Sequence, residues 1–191
     1  AIFADEPVDV VILEVGIGGS WDFTNVADGI VSVVAPVGLD HTDMLGDTLA
    51  EIATEKAGII KPDGYLISAA QDPEVATILL DTARKQNAKY AFEGVEFGVA
   101  ERARAVGGQL LTLRGLAGEY PDIELPLHGE HQGQNASLAL AAVEAFFGGD
   151  RALARDVVLA GFAQVRSPGR LEMIRSEPLV VLDAAHNPHG V

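Results

Sequence analysis

Apolar residues in this chain fall first into unbroken runs and then into helical spacings. Residues 8–15 and 30–37 are continuous stretches rich in Val and Ile, the pattern of strands buried on both faces of a parallel sheet. Between residues 47 and 58, Leu49, Ile52, Ala53 and Ala57 recur at helical spacing, with Asp47 placed as N-cap and Gly58 as stop. Residues 65–69 predict a further strand. Residues 72–87 predict an amphipathic helix with Val75, Ile78, Leu79 and Ala83 on one face. The order strand, strand, helix, strand, helix predicts an α/β fold on a mostly parallel sheet with flanking helices.

The pattern changes at residue 97. Gly107-Gly108 and the segment 115–120 divide residues 97–127 into three short, partly alternating runs, which predicts a small antiparallel sheet. From His131 the pattern returns to helix, placed over residues 135–147, rich in Ala and Leu, and over residues 151–165 after Gly148-Gly149. Ser167-Pro168-Gly169 then interrupts the chain, and residues 170–175 and 179–183 read as two strands of a new unit. A boundary is therefore expected at residues 165–169, dividing 1–166 from 167–191.

Composition narrows the function classes. The 191 residues are 48% hydrophobic, ample for a core, and the formal net charge of -15 argues against a nucleic-acid surface, which needs a clustered basic face. An anionic substrate then requires metal ions and a few local Arg or Lys residues to reverse the field inside the site. With no cysteine there is neither a disulfide framework nor thiolate chemistry, which fits a cytoplasmic protein. No apolar run approaches the roughly 20 residues of a membrane span. The chain begins without Met, and His186-Asn187-Pro188 reads as the start of a helix, so a fragment cut at both ends is expected.

Chemistry concentrates at strand ends. Glu14 closes the first apolar run and opens into Gly16-Ile17-Gly18-Gly19, and ligands of open α/β sheets collect at such carboxyl ends. The dinucleotide fingerprint fails at its sixth position, where Trp21 replaces the small residue needed for helix packing. A phosphate loop of the form G-x-x-x-x-G-K-[ST] is absent, and none of the four lysines follows a glycine. His41 follows the second strand as Glu14 follows the first, so both could converge at the sheet's carboxyl edge. A hard divalent cation accepts carboxylate oxygen readily, while histidine is a less usual partner for magnesium. From position alone, a solvated loop acid and a hydrogen-bonded core histidine are the commoner readings of these two positions. Lys56 lies near a helix C-terminus, where any cation is favoured by the helix dipole. Asp183 again ends an apolar strand, with Asn187 placed to cap the next helix. Arg170, after Pro168-Gly169, is either an ordinary surface residue or a guanidinium set at a hinge for phosphate.

Six segments in order resemble the folylpolyglutamate synthase and dihydrofolate synthase family of the Mur ligase superfamily, over nearly the whole chain. They are Glu14-Val15-Gly16-Ile17-Gly18-Gly19 with Asp22 and Thr24-Asn25; Leu39-Asp40-His41-Thr42 with Leu45-Gly46; and Glu55-Lys56-Ala57-Gly58-Ile59. Gly129-Glu130-His131-Gln132 with Asn135-Ala136, Ser167-Pro168-Gly169-Arg170-Leu171-Glu172, and Asp183-Ala184-Ala185-His186-Asn187-Pro188 complete the set. The resemblance implies a P-loop-type central domain over residues 1–166 and the start of a Rossmann-like C-terminal domain over 167–191.

It further implies Glu14 and His41 as magnesium ligands and Lys56 as a carbamylated lysine, all three serving the catalytic centre. Trp21, Asp22 and Phe23 would hold the pterin end of dihydropteroate, and Asn135, Arg170, Asp183 and His186 would contact ATP. The implied enzyme is a monomeric, cytoplasmic ligase that uses ATP to join dihydropteroate or folate to L-glutamate through an acyl phosphate. A sibling ligase acting on a peptidoglycan precursor and a non-catalytic nucleotide-binding module are the alternatives. Ser20 stands where the family usually carries Arg, and Phe23 where Ala is usual. The family's phosphate loop would precede Ala1 and most of its C-terminal domain would follow Val191, so the isolated chain is expected to be inactive.

Overall fold

The computed structural model describes residues 8–185. The expected contact at His186 and the expected helix start at Asn187-Pro188 lie outside the described residues.

A parallel sheet of three strands is built from β1 (Val31–Val34), β2 (Tyr65–Ser68) and β3 (Lys89–Phe92), in that order, with Val33 opposite Ile67 and Ile67 opposite Ala91. Residues 8–15, expected as a strand, form none, and Val8, Val10, Val11, Ile12 and Leu13 are exposed. A strand exists by pairing rather than by propensity, and among the described residues no ladder partner faces this run. β3 was not foreseen, because Lys-Tyr-Ala-Phe is too short and mixed to carry a period. It arises from the turn before it: Asn87 takes a positive φ of 53° and the Ala88 amide donates to the Ala83 carbonyl at 2.9 Å.

The helices α1 (Thr42–Leu45), α2 (Leu49–Ala57) and α3 (Pro73–Lys85) connect these strands. Thr48, not Asp47, caps α2: its side chain accepts from the Glu51 amide while Glu51 reaches back to the Thr48 amide. The reciprocal box satisfies two orphan donors at once, which Asp47 alone would not. Asp72 caps α3 as expected, with Pro73 following it. Val34, Ala53, Ala57, Leu66, Val75, Leu79 and Ala83 form the core between α2, α3 and the sheet.

An antiparallel sheet follows, β4 (Gly98–Ala105), β5 (Gly108–Arg114) and β6 (Glu119–Leu125), with α4 (Glu130–Phe146) and α5 (Arg155–Ala163) packed against it. The wall between the two sheets is α4. Ala136 and Leu140 pack on the antiparallel core, while Leu138, Ala141 and Ala145 pack on Ile67, Ala91 and Phe97. A helix buried on two sides needs small apolar residues almost all round, which is why its Ala-rich stretch was placed as helix and its polar first turn, Glu130-His131-Gln132, was not. Past the Ser167-Pro168-Gly169 turn, β7 (Glu172–Ser176) and β8 (Leu179–Leu182) pair antiparallel. Among the described residues no helix is long and apolar enough to cross a membrane.

Candidate functional site

The chain from residue 14 to residue 26 folds around one carboxylate. Asp22 Oδ2 accepts from the amides of Gly16 and Ile17, each at 3.1 Å, and Oδ1 accepts from the Thr24 amide at 2.8 Å and its hydroxyl at 2.5 Å. The Thr24 hydroxyl and amide, then the amides of Ile17 and Gly16, lower the Asp22 pKa to about 2, because all of them favour the charged form. Asp22 therefore closes the glycine turn on itself and starts the 3-10 helix Phe23–Val26. The Gly16 and Ile17 amides are spent on Asp22, so this turn is a shaped wall rather than a phosphate cradle.

The same loop is bolted to the end of α2. The Ser20 amide donates to the Glu55 carbonyl at 3.0 Å, and the Ser20 hydroxyl donates to the Glu55 carboxylate. Asn25 adds two bonds from Nδ2, to the Ser20 carbonyl at 2.9 Å and the Gly58 carbonyl at 3.1 Å. Lys56, half-buried on the last turn of α2, is thereby fixed relative to the glycine loop. Across from it, His41 takes a left-handed φ of 50° and opens α1, its carbonyl accepting from the Met44 and Leu45 amides. Its own amide donates to Asp40 Oδ1 at 2.8 Å, and its Nε2 lies 3.9 Å from Asp40 Oδ2.

A cleft of about 200 Å³ lies between these parts, lined by Gly16, Ile17, Gly18, Asp40, His41 and Lys56 among others. Of the three residues expected to converge, His41 and Lys56 share this cleft. Glu14 is exposed and sits immediately before Val15, itself a lining residue, without lining the cleft. Among the described residues no three His, Cys, Asp or Glu side chains are grouped to hold a metal ion. Trp21 is half-exposed with its ring over Gly18, and Phe23 is 95% exposed.

Asn135, Arg170 and Asp183 belong to a different part of the chain. Asn135 is exposed on α4 and its Nδ2 lies 3.3 Å from Gln132 Oε1. Asp183 accepts from the amides of Leu171 at 2.8 Å and Ala185 at 2.6 Å. These two amides, and then the charges of Arg170 and His131, hold its carboxyl below the usual range.

Several contributors were missed at the level of sequence. Glu55 and Asn25 stand in the landmark segments, yet their parts in holding the loop, Glu55 through its carboxylate and carbonyl and Asn25 through its side-chain amide, have no local signal. The role of Asp22 as a clamp had a signal, the Asp-x-Thr spacing of an Asx turn.

Residues 1–143 match the family described as Mur ligase middle domain. The chain is 54% identical over 198 aligned residues to the dihydrofolate synthase/folylpolyglutamate synthase of Mycobacterium tuberculosis, covering 100% of this chain and 41% of that protein. It is 36% identical to the Bacillus subtilis protein of the same name, covering 96% of this chain and 43% of the other. Among solved structures, Mycobacterium tuberculosis folylpolyglutamate synthase complexed with ADP and AMPPCP superposes with a TM-score of 0.94 at 55% identity, covering 99% of this chain and 43% of that one. An FPGS-AMPPCP-folate complex superposes with a TM-score of 0.95 at 34% identity, covering 99% and 46%. The chain thus spans less than half the length of these relatives.

Proposed function

Because this chain belongs to the Mur ligase family through its middle domain, we propose that it forms the central part of an ATP-dependent amide ligase. The acceptor is the carboxylate of dihydropteroate or of a (poly)glutamylated folate, and the nucleophile is the amine of L-glutamate. The observation that carries this reading is that Lys56 and His41 line one cleft together with a glycine loop fixed by Asp22. Residues 1–166 belong to the central domain in this reading and residues 167–191 begin the next. We place the enzyme in the cytoplasm as a monomer.

Magnesium binds through one or two carboxylates, keeps several waters and takes its remaining ligands from substrate phosphates; the cleft itself offers His41 and Lys56, with Glu14 beside it rather than in its lining. Glu14 and His41 would hold the ion. Lys56 would join them after its ammonium gives up one proton to solvent and the freed Nζ adds carbon dioxide and gives up a second, which replaces a cation by a carboxylate oxygen donor. Held there, magnesium would supply positive charge against the phosphates, which otherwise repel the substrate carboxylate.

The remaining steps follow from the chain's own groups. A carboxylate oxygen of the acceptor attacks the γ-phosphorus and ADP departs. The amine nitrogen then attacks the acyl carbon, the phosphate leaves with that carboxylate oxygen, and the amine proton passes to solvent. Trp21 and Phe23 offer exposed aromatic faces for the pterin, while Asp22 serves that pocket by holding the loop beneath them. By the family resemblance Asn135, Arg170, Asp183 and His186 would contact ATP. Arg170 supplies a forked donor from beyond the 167–169 turn, so closure of that hinge completes the site.

The test is turnover by the full-length protein that contains this chain. Dihydropteroate-dependent phosphate release with amide formation supports the reading. Turnover of a muramyl substrate without dihydropteroate activity would replace it with a sibling ligase. Binding of ATP and magnesium with no amide product would replace it with a nucleotide-binding module.

A further inference from the structure

Gln109 stands apart from every residue assigned above, yet its side chain is 3% exposed and fully engaged. It sits at the start of β5, where its Oε1 accepts from Arg102 Nε of β4 at 2.6 Å. Its Nε2 donates both hydrogens, to the Leu127 carbonyl at 3.0 Å and the Gly129 carbonyl at 2.9 Å. Those carbonyls bracket His128 on the approach to α4, and Gly129 is the N-cap residue of that helix.

The N-terminus of α4 has no side-chain cap of its own. Gly129 adopts a φ of 95°, and a β-carbon there would come within 2.4 Å of the His131 ring, so the chain enters the helix by a path only glycine permits. One helical turn further, a β-carbon on Gly133 would meet Leu111 at 3.6 Å and Gln109 Oε1 at 3.9 Å. The start of α4 is therefore seated on β5, and the direct polar ties at that seat run through Gln109.

We propose that Gln109, oriented by Arg102, is a positioning residue for the nucleotide half of the site: it fixes the entry to α4 and hence the place of His131 and Asn135 on that helix's first two turns. This rests on the ligase reading for the identity of the nucleotide. Gln109 touches neither substrate in that reading. Its side chain sets where the helix begins, and an error there carries directly to Asn135.

The experiment compares steady-state kinetics of the full-length protein with its Gln109→Leu and Gln109→Glu variants. Leucine keeps the bulk and removes every bond, while glutamate keeps an acceptor for Arg102 but turns an oxygen toward two carbonyls. Both variants are expected to raise KM for ATP roughly tenfold, with KM for dihydropteroate within about twofold of the parent value. If Gln109→Leu does not fold, Gln109→Glu is read alone. An unchanged KM for ATP, or equal shifts in both KM values, would overturn the proposal. ADP affinity measured by calorimetry on the same proteins separates the two claims. If the parent protein makes no amide but binds ADP, the ligase reading fails, and Gln109 is still judged by whether its variants weaken ADP.

Discussion

The Ser20 amide donates to the Glu55 carbonyl at 3.0 Å, and with this bond the glycine loop and the last turn of α2 become one rigid piece. Glycines on both sides make the approach possible. A β-carbon on Gly19 would stand 2.3 Å from the Glu55 carbonyl oxygen, and one on Gly58 would stand 2.4 Å from the Ser20 β-carbon. Since the Gly19 obstacle is backbone, Gly19→Ala must push the loop away from Lys56. A displacement near 1 Å at a reacting centre can cost about a hundredfold in rate. Gly19→Ala is expected to lower kcat of the full-length protein on that order while ADP affinity, measured by calorimetry, changes little.

Asp22 makes the loop acid-sensitive in a defined window. Its pKa is lowered from 3.8 to about 2 by the Thr24, Ile17 and Gly16 donors. A depressed folded-state pKa means that the carboxylate's stabilisation is present above the unfolded value and is lost as pH falls through the folded one. The parent protein is expected to be more stable than Asp22→Asn at neutral pH, with the difference shrinking between about pH 4 and pH 2. Carbon-detected NMR of the Asp22 carboxyl and paired acid-unfolding curves read both quantities.

Lys56 is the residue whose chemistry changes most if the reading holds. Lys56→Ala is expected to abolish most turnover in the full-length protein, and a short carboxylate such as acetate to restore part of it by supplying the missing oxygen donor. Normal turnover by Lys56→Ala would remove its assigned role. Mass spectrometry of the parent protein under carbon dioxide, without acid quench, checks the modification itself.

The antiparallel unit has its own buried anchor. Glu144 is fully buried, accepts from the Leu116 amide and from the Tyr120 hydroxyl at 2.7 Å, and Tyr120 Oη in turn accepts from the Leu153 amide at 2.7 Å. Burial and then the bond to Glu144 push the Tyr120 pKa up to about 12. A phenol with a raised folded pKa loses its stabilising contribution as pH rises from its unfolded value of 10 through the folded one. Tyr120→Phe is expected to cost about 1–3 kcal/mol at neutral pH, since it leaves buried partners unsatisfied. The variant should also lack the alkaline loss of stability above about pH 10 seen in the parent by denaturant titration.

Much of this architecture was legible because burial is periodic. The apolar faces of α2 and α3 and the runs of β1 and β2 were read correctly from spacing, as was the antiparallel character of residues 98–125. Residues 8–15 misled for a physical reason: an apolar run states that a segment prefers to be covered, not that a neighbour is there to pair with it. At the site, His41 was singled out by its place after a strand and Lys56 by the family resemblance, and both line one cleft. Glu14 was named by the same logic as His41 and does not line it. The bonding roles of Glu55, Asn25 and Gln109 stayed hidden, because their partners lie distant in sequence and leave no local pattern.

The most direct test of the central claim follows an oxygen atom. Dihydropteroate labelled with 18O in its carboxylate is supplied with ATP, magnesium and L-glutamate to the full-length protein, and the released phosphate is analysed by mass spectrometry. Activation of the carboxylate by phosphoryl transfer predicts one labelled phosphate for each amide formed. Unlabelled phosphate, or ATP hydrolysis with no amide, would contradict the ligase account.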